Sequence, residues 1–366
     1  MKLIKKEWLF FIFLSLFVIL VFQFKPTFNE LYSFIDWGTI RALSALLLIT
    51  TAMKLSKIFD FIALKTLNKF KNERILAFAF ITASVLLSMF LTNDITLFIM
   101  VPLTLAFSSQ IKNDLTKLII FEAIAVNVGS MLTPFGNPQN IFLFRQMDTS
   151  VLTFIEKMGV VFIPSIIVLF IFVLIFFPKK QLIIHVSSNM RPDKKLFFIS
   201  LGLFVLFIIS LELSFVRFVL IAILGVYAFI KKEVFKQFDY FLIFTFIIMF
   251  MDFGLVSRIE SVKTLMHSFP HTFFNIFNVS VLTSQIISNV PAAIFMSNFS
   301  HNYTAIAYGV NIAGNGLLIG SLANVIALRF LHNPKVYFTF HKYSLPYFFL
   351  SYLLVLLELK YYPSYA

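Results

Sequence analysis

The chain has 366 residues, of which 60% are hydrophobic and 13% charged, and its mean hydropathy is +0.92. Soluble domains run near 45–50% apolar and about 25% charged, so this chain lacks the polar coat that a water-facing surface needs. Fifty-one phenylalanines suit a surface against acyl chains, and the net charge of +13 reads as membrane topology with no nucleic-acid partner implied.

In chain order, Lys2, Lys5 and Lys6 precede an apolar run from Trp8 to Phe24. No small-residue cleavage site follows, only Lys25-Pro26, so the run reads as a retained first span and not as a signal peptide. Further apolar segments long enough for a bilayer lie at about 36–53, 157–177, 196–212, 215–230, 240–256 and 344–359. Two other regions, 75–145 and 270–331, hold most of the Asn, Gly and Pro found at membrane depth. Each reads as a hairpin followed by a broken helix: about 75–109 with 117–145, and about 270–299 with 303–331. Parity alone leaves full double crossings open. The nine-residue arm 291–299 spans only about 14 Å of helix, too short to cross, which favours hairpins in both halves.

Charge placement sets the orientation. With the amino terminus in the cytoplasm and each plain span crossing once, six basic clusters fall on the cytoplasmic side. They are Lys2, Lys5 and Lys6; Lys54, Lys57, Lys65, Lys69, Lys71 and Arg74; Lys112 and Lys117; Lys179, Lys180, Arg191, Lys194 and Lys195; Lys231, Lys232 and Lys236; and Arg329, Lys335 and Lys342. Eight basic residues remain for the outer side, where the carboxyl terminus also falls.

The two unusual regions match each other. Laid without a gap, 126–145 and 310–329 agree at Val126/Val310, Asn127/Asn311, Gly136/Gly320, Asn140/Asn324 and Arg145/Arg329, and upstream Thr92-Asn93 matches Ser288-Asn289. The first hairpin begins and ends inside and the second outside, so the repeats are inverted, an arrangement common in secondary transporters. The expected fold is an all-α polytopic membrane protein with about nine full spans plus two re-entrant hairpins. Its parts are a first inverted repeat over 1–177, a cytoplasmic loop and linker helix over 178–214, and a second inverted repeat over 215–366.

Unpaired backbone groups cost several kcal/mol in hydrocarbon, so broken helices survive only around a cavity or ligand. Asn, Ser and Thr cap helix starts, and Pro fits the first turn. Thr92-Asn93, Asn137-Pro138, Ser288-Asn289 and Ser321 therefore each read as the start of a half-helix, four positive dipole ends suited to an anion or oxyanion. The preceding helix ends, with Gly129, Gly136 and Gly314, could hold a cation through their carbonyls. Asn127, Asn140, Asn311 and Asn324 complete the candidate substrate site. The bland alternative for an intramembrane Asn or Gly is interhelical packing, and that reading suffices for Gly202 and Gly225. Arg145 and Arg329 read as snorkelling anchors.

Acidic groups at depth are few. Asp94 and Glu122 are coupling-ion candidates, although Asp94 could equally be a first-turn charge that complements its helix dipole. Asp252, near a span end before Gly254, is a weaker candidate of the same kind, the alternative being that it simply reaches the interface. The chain has no cysteine, which excludes disulfides and thiolate sites, and Pro270 separates His267 from His271. No metal site and no cofactor are expected, apart from H+ or Na+ as the coupling ion. His185, His332 and His341 read as solvated loop residues. An intramembrane enzyme is disfavoured, because no nucleophile–base set lies in the broken regions.

The strings Thr92-Asn93-Asp94, Asn127 through Asn140 with its Gly136-Asn137-Pro138-Gln139-Asn140 core, Ser288-Asn289-Val290-Pro291, and Gly320 through Asn324 resemble the ion transporter superfamily. That group includes arsenite permeases, sodium/proton antiporters of the same fold and citrate and dicarboxylate carriers; the resemblance is nearest to the arsenite-permease-like branch. It implies two hairpins, two unwound helices and a mid-membrane site, with Asn93 and Asn289 at the hairpin tips touching the cargo. It also implies elevator-like motion and a homodimer. The carboxylate carriers have Ser-Asn-Thr at both tips; here the third residue is Asp94 or Val290, and Asp94 would repel a carboxylate. The expectation is an inner-membrane secondary transporter of a small anion or oxyanion, arsenite-like extrusion included, with a sodium/proton antiporter as the alternative. No Walker A string is present, so any ATP use would need a partner subunit; for secondary transport an ATPase subunit is not required.

Overall fold

A computed structural model describes residues 7–66, 72–108, 115–181, 191–331 and 335–361. Lys2, Lys5, Lys6, Lys69, Lys71, Lys112, His185 and His332, used in the reading above, lie outside the described residues. Among the described residues there are nineteen α-helices and no strand.

The first stretch holds α1 (Trp8–Phe24), a short α2 (Phe28–Phe34), α3 (Trp37–Leu55) and α4 (Ile58–Thr66). α1 stops where Lys25 turns left-handed (φ 45°) ahead of Pro26, and Thr27 opens α2 in a capping box with Glu30. Next come α5 (Glu73–Phe90), α6 (Asn93–Ser108), α7 (Thr116–Ser130), α8 (Pro138–Met147) and α9 (Val151–Phe176). α10 (Lys194–Glu212), α11 (Val216–Ile230) and α12 (Glu233–Gln237) lead to α13 (Tyr240–Val256) and α14 (Glu260–Ser268), the latter two bent by 82° to each other. The chain then runs through α15 (Phe273–Ile287), α16 (Asn289–Ser297), α17 (Tyr303–Ala313), a 3-10 turn (Leu318–Gly320), α18 (Leu322–Arg329) and α19 (Lys335–Tyr361). Asp36, Asn72, Asn137, Ser150, Asp193, Asp239, Thr272 and Asn302 each accept the backbone N–H three residues on, so polar caps mark the helix starts between apolar runs.

Five helices, α3, α5, α9, α10 and α19, are long and apolar enough to cross a membrane, and α13 with α14 makes a sixth if that bent pair is one span. α1, α11 and α15 are shorter apolar helices. The first arm of the first hairpin, α5, is itself 18 residues long, more than its 15-residue counterpart α15. α4, α12 and α14 fall outside every span expected from hydropathy, because their lengths of 9, 5 and 9 residues are below what a hydropathy window registers.

The most extensive packing is α5 along α7 and α15 along α17. α6 rests on α7 and α18, while α16 rests on α17 and α8; α9 and α19 pack on each other. The four half-helices thus sit at the centre. α3 is wrapped by α10 and α11, and α1 lies along α13. Gly129 lets α7 touch α5: a Cβ there would stand 2.1 Å from the Val85 carbonyl oxygen and 2.2 Å from Ser88 Oγ.

Candidate functional site

The helix breaks fall where the Asn-rich strings lie. α5 ends at Phe90 and α6 starts at Asn93; α7 ends at Ser130 and α8 starts at Pro138; α15 and α16 meet at Ser288; and α17 and α18 are separated by residues 314–321. Ser288 has φ 76° and ψ 159°, a conformation outside the regions an L-residue prefers, so the second hairpin tip is held under backbone strain.

The two unwound segments brace each other through buried amides. Asn127 Nδ2 donates to Asn324 Oδ1 at 2.9 Å and to the Gly314 carbonyl at 3.2 Å. Asn311 Nδ2 donates to Asn140 Oδ1 at 2.7 Å and to the Ala307 carbonyl at 2.8 Å. The acceptor oxygens are used as well: Ser321 Oγ donates to Asn127 Oδ1 at 2.9 Å, and Asn137 Nδ2 donates to Asn311 Oδ1 at 3.0 Å. Asn140 Nδ2 reaches the Ser130, Met131 and Thr133 carbonyls, and Asn324 Nδ2 reaches the Gly314 carbonyl at 2.9 Å. Four of these bonds between the two regions therefore form two pairs with the roles exchanged, while the bond from Asn127 to the Gly314 carbonyl has no counterpart, Asn311 donating to Ala307 of its own helix.

The hairpins are tied to the same segments. The Asn93 N–H donates to the Gly136 carbonyl at 3.0 Å. Four residues ahead of each tip asparagine, opposite chemistry does the same work. The Met89 carbonyl accepts from the Thr133 hydroxyl. Gln285 instead donates to the Ala313 carbonyl and accepts from the Leu317 N–H, each at 2.6 Å.

A small cleft lies at the tips, lined by Asn93, Asp94, Pro138, Asn289, Val290, Ser321 and Leu322 together with Leu9, Leu242, Phe246 and Met249. Four helix starts, those of α6, α8, α16 and α18, meet there. Asn93 and Asn289 are both buried, and each Oδ1 accepts the next backbone N–H at 3.0 and 2.9 Å, which leaves their Nδ2 groups without a hydrogen-bond partner among the described residues. No Lys, Arg or His is among the lining residues; Asp94, half-buried, is the single charge there.

The family comparison decides the class. The citrate transporter family, CitMHS, matches residues 3–303. The chain belongs to that family. Its members are transporters, and this one is a multi-pass membrane transporter and not an enzyme. The inner membrane protein YbiR of Escherichia coli is 36% identical over 314 residues, 85% of this chain and 84% of that one. An uncharacterized transporter of Methanocaldococcus jannaschii is 36% identical over 340 residues, 92% of each chain. A Dictyostelium discoideum protein carrying the transporter name arsB is 25% identical over 151 residues, 41% of this chain and 27% of that one.

In this citrate transporter-family member the sequence-selected residues divide into two groups. Asn93, Asp94, Asn289 and Ser321 line the cavity, with Thr92 and Ser288 beside the tips. Asn127, Asn137, Asn140, Asn311 and Asn324 are enclosed in the brace, Gly314 serves it through its carbonyl, and Gly129 and Gly136 are close-packing positions against Val85 and Ser130. Glu122 stands apart from the cavity lining. It is fully buried in α7, Thr104 of α6 donates to its Oε1, and among the described residues Oε2 has no partner. Two expectations need correction. His341 is no loop residue: it is half-buried in α19, where Nε2 accepts the Leu318 N–H at 3.1 Å and Nδ1 faces the Tyr337 carbonyl at 2.7 Å. Asp252 does not reach an interface, being 0% exposed with neither oxygen partnered among the described residues. Sequence reasoning missed Gln285, whose only signal was a long amide four residues before a tip asparagine.

Proposed function

We propose that the protein is a secondary active transporter of a small anion or oxyanion, coupled to protons or sodium. The observation that carries the reading is the convergence of four helix starts on one cavity, since each adds partial positive charge and free backbone donors. With one acid and no basic side chain in the lining, recognition rests on dipoles and amides. That suits a neutral or singly charged oxyacid, arsenite-like in chemistry, better than a polycarboxylate that needs cationic partners.

Asn93 and Asn289 turn their Nδ2 groups to the cargo, Thr92, Ser288 and Ser321 border it, and Asp94 and Glu122 carry the coupling ion. The brace asparagines Asn127, Asn137, Asn140, Asn311 and Asn324 hold the half-helices in place around it. The exchanged hydrogen bonds and the matching pairs α5–α7 and α15–α17 support two inverted repeats with re-entrant hairpins. The similarity to an inner membrane protein along most of its length, together with the charge bias, supports an inner-membrane location with the amino terminus inside and the carboxyl terminus outside. No ATPase subunit is needed, and a homodimer is the expected assembly.

The test is uptake into proteoliposomes of arsenite, dicarboxylates, inorganic oxyanions and sodium, by the wild type and by Asn93→Ala and Asn289→Ala. Both variants should fold and lose transport at least tenfold. Normal transport by both would refute the site. The second reading, a sodium/proton antiporter, is favoured by one observation, the unpaired Glu122 Oε2. A sodium-driven pH change in inverted vesicles with no added anion would establish it.

A further inference from the structure

Resting on the transporter reading above, the geometry points to Asp252 as a proton-carrying site, separate from the cargo cavity but sharing a helix with its wall. Asp252 is the thirteenth residue of the 17-residue α13 and is completely enclosed. One turn earlier Met249 lines the cavity, and the next residue, Phe253, places its ring 6.0 Å from Phe13 of α1 and 6.0 Å from Phe295 of the hairpin arm α16. Asp252 thus sits in the stretch of α13 whose adjoining residues meet the cavity, α1 and α16.

The bland reading of a polar residue at depth is interhelical glue, and glue needs a partner. Among the described residues neither Asp252 oxygen has one. The other bland reading, a charge complementing a helix dipole, fails on position. The last turns of a helix present carbonyls and partial negative charge, which oppose an anion. The surrounding elements offer no counter-charge either. α1 and α16 contain no ionisable residue. α2 supplies Glu30, ion-paired to Arg258, and Tyr32. α3 supplies Arg41 and Lys54, of which Lys54 lies over the Phe98 ring. α8 supplies Arg145, paired to Asp36. None is bonded or ion-paired to Asp252.

An anion stripped of water and of partners is not sustained at such a site. The enclosed group therefore carries a proton, and it can give that proton up only when the packing around this stretch of α13 opens to water. The chemistry is one O–H bond formed from a proton of the bulk on one side and broken to the bulk on the other, moving one positive charge per cycle. A metal cation is a poorer fit, because it needs several oxygen ligands and among the described residues no cluster of three or more His, Asp or Glu side chains is present.

Two measurements test this. First, infrared difference spectra of the purified protein in lipid nanodiscs should show a buried protonated carboxyl band. It should vanish in Asp252→Asn, shift in Asp252→Glu and persist in Asp94→Asn and Glu122→Gln. A spectrum unchanged by Asp252→Asn overturns the proposal whatever the cargo proves to be. Second, with arsenite as the probe, Asp252→Asn should continue equilibrium exchange but lose pH-gradient-driven uptake at least tenfold, while Asn289→Ala loses both. Gradient-driven uptake intact in Asp252→Asn overturns the proposal; failure of the wild type to move arsenite refutes that cargo and leaves the infrared result to decide on Asp252.

Discussion

Replacing Asn311 by Ala removes three hydrogen bonds from the interior of the brace. Nδ2 no longer donates to Asn140 Oδ1 or the Ala307 carbonyl, and Oδ1 no longer accepts from Asn137. Asn137 keeps two other acceptors, the Ser130 carbonyl and hydroxyl, each at 3.2 Å. Asn140 Oδ1, in a fully buried side chain, is left with no donor among the described residues. An orphaned buried acceptor costs about 1–3 kcal/mol, and side-chain hydrogen bonds within membrane proteins contribute about 0.6 kcal/mol on average, so the expected loss is roughly 2–4 kcal/mol. Asn127→Ala should cost the same within about 1 kcal/mol, since it orphans Asn324 Oδ1 in the same way. The assay is equilibrium unfolding in mixed micelles titrated with dodecyl sulfate and followed by circular dichroism. In a double-mutant cycle, Asn311→Ala with Asn140→Ala should fall short of additivity by about 0.6–2 kcal/mol. If Asn311→Ala changes stability by less than about 0.5 kcal/mol and alters only the KM for transport, the asparagine is a ligand and the brace argument is wrong.

Three further outcomes are expected. Gly129→Ala drives a methyl group to 2.1 Å from the Val85 carbonyl oxygen, so α5 and α7 must part; unfolding titrations should show a loss of about 1–3 kcal/mol or more, whereas Gly202→Ala, with open space around it, should be neutral. Ser288→Gly should relieve the positive-φ strain and stabilise by up to about 1–3 kcal/mol, while Ser288→Ala should not; equal effects of the two would remove the strain argument. Glu30, outside the membrane, is held below the ordinary carboxylate range first by the Thr27 backbone N–H, then by the Thr27 hydroxyl and Arg258. Its cap therefore contributes above the usual Glu range and fades as pH falls through the lowered value, so a pH titration of amide exchange at Thr27 should show protection lost only on acidification, and Arg258→Gln should move that loss to higher pH.

Much of the scaffold could be read from one dimension. Long apolar runs announce depth, and Asn or Ser before a half-helix announces a cap; Asn137-Pro138 starts α8 as its chemistry requires. Matched Asn and Gly residues are likewise what the proposed repeat rests on. What a linear pattern cannot carry is the identity of a partner. Asn127 looks the same on paper whether it meets a ligand or Asn324, and only the three-dimensional arrangement supplies Asn324, Gly314 and Ser321 as its partners. The same holds for His341, whose neighbours in sequence suggest a loop while the 3-10 turn brings a backbone N–H to its ring. Asp252 lies four residues from the end of α13, and only the packing of other helices, α1, α2, α3 and α16, on that helix encloses it. α14 escaped notice because nine residues with one apolar face raise no hydropathy signal.

The brace also has a bearing on synthesis. Asn127 and its acceptor Asn324 are 197 residues apart in the chain. A ribosome adding about 5–20 residues per second takes roughly 10–40 s to bridge that interval. Throughout it the Asn127 side chain lacks its Gly314 and Asn324 acceptors and its Ser321 donor, so the first half is incomplete until the second is made. The interval is a window in which a chaperone or a quality-control protease can tell a finished chain from an abandoned one.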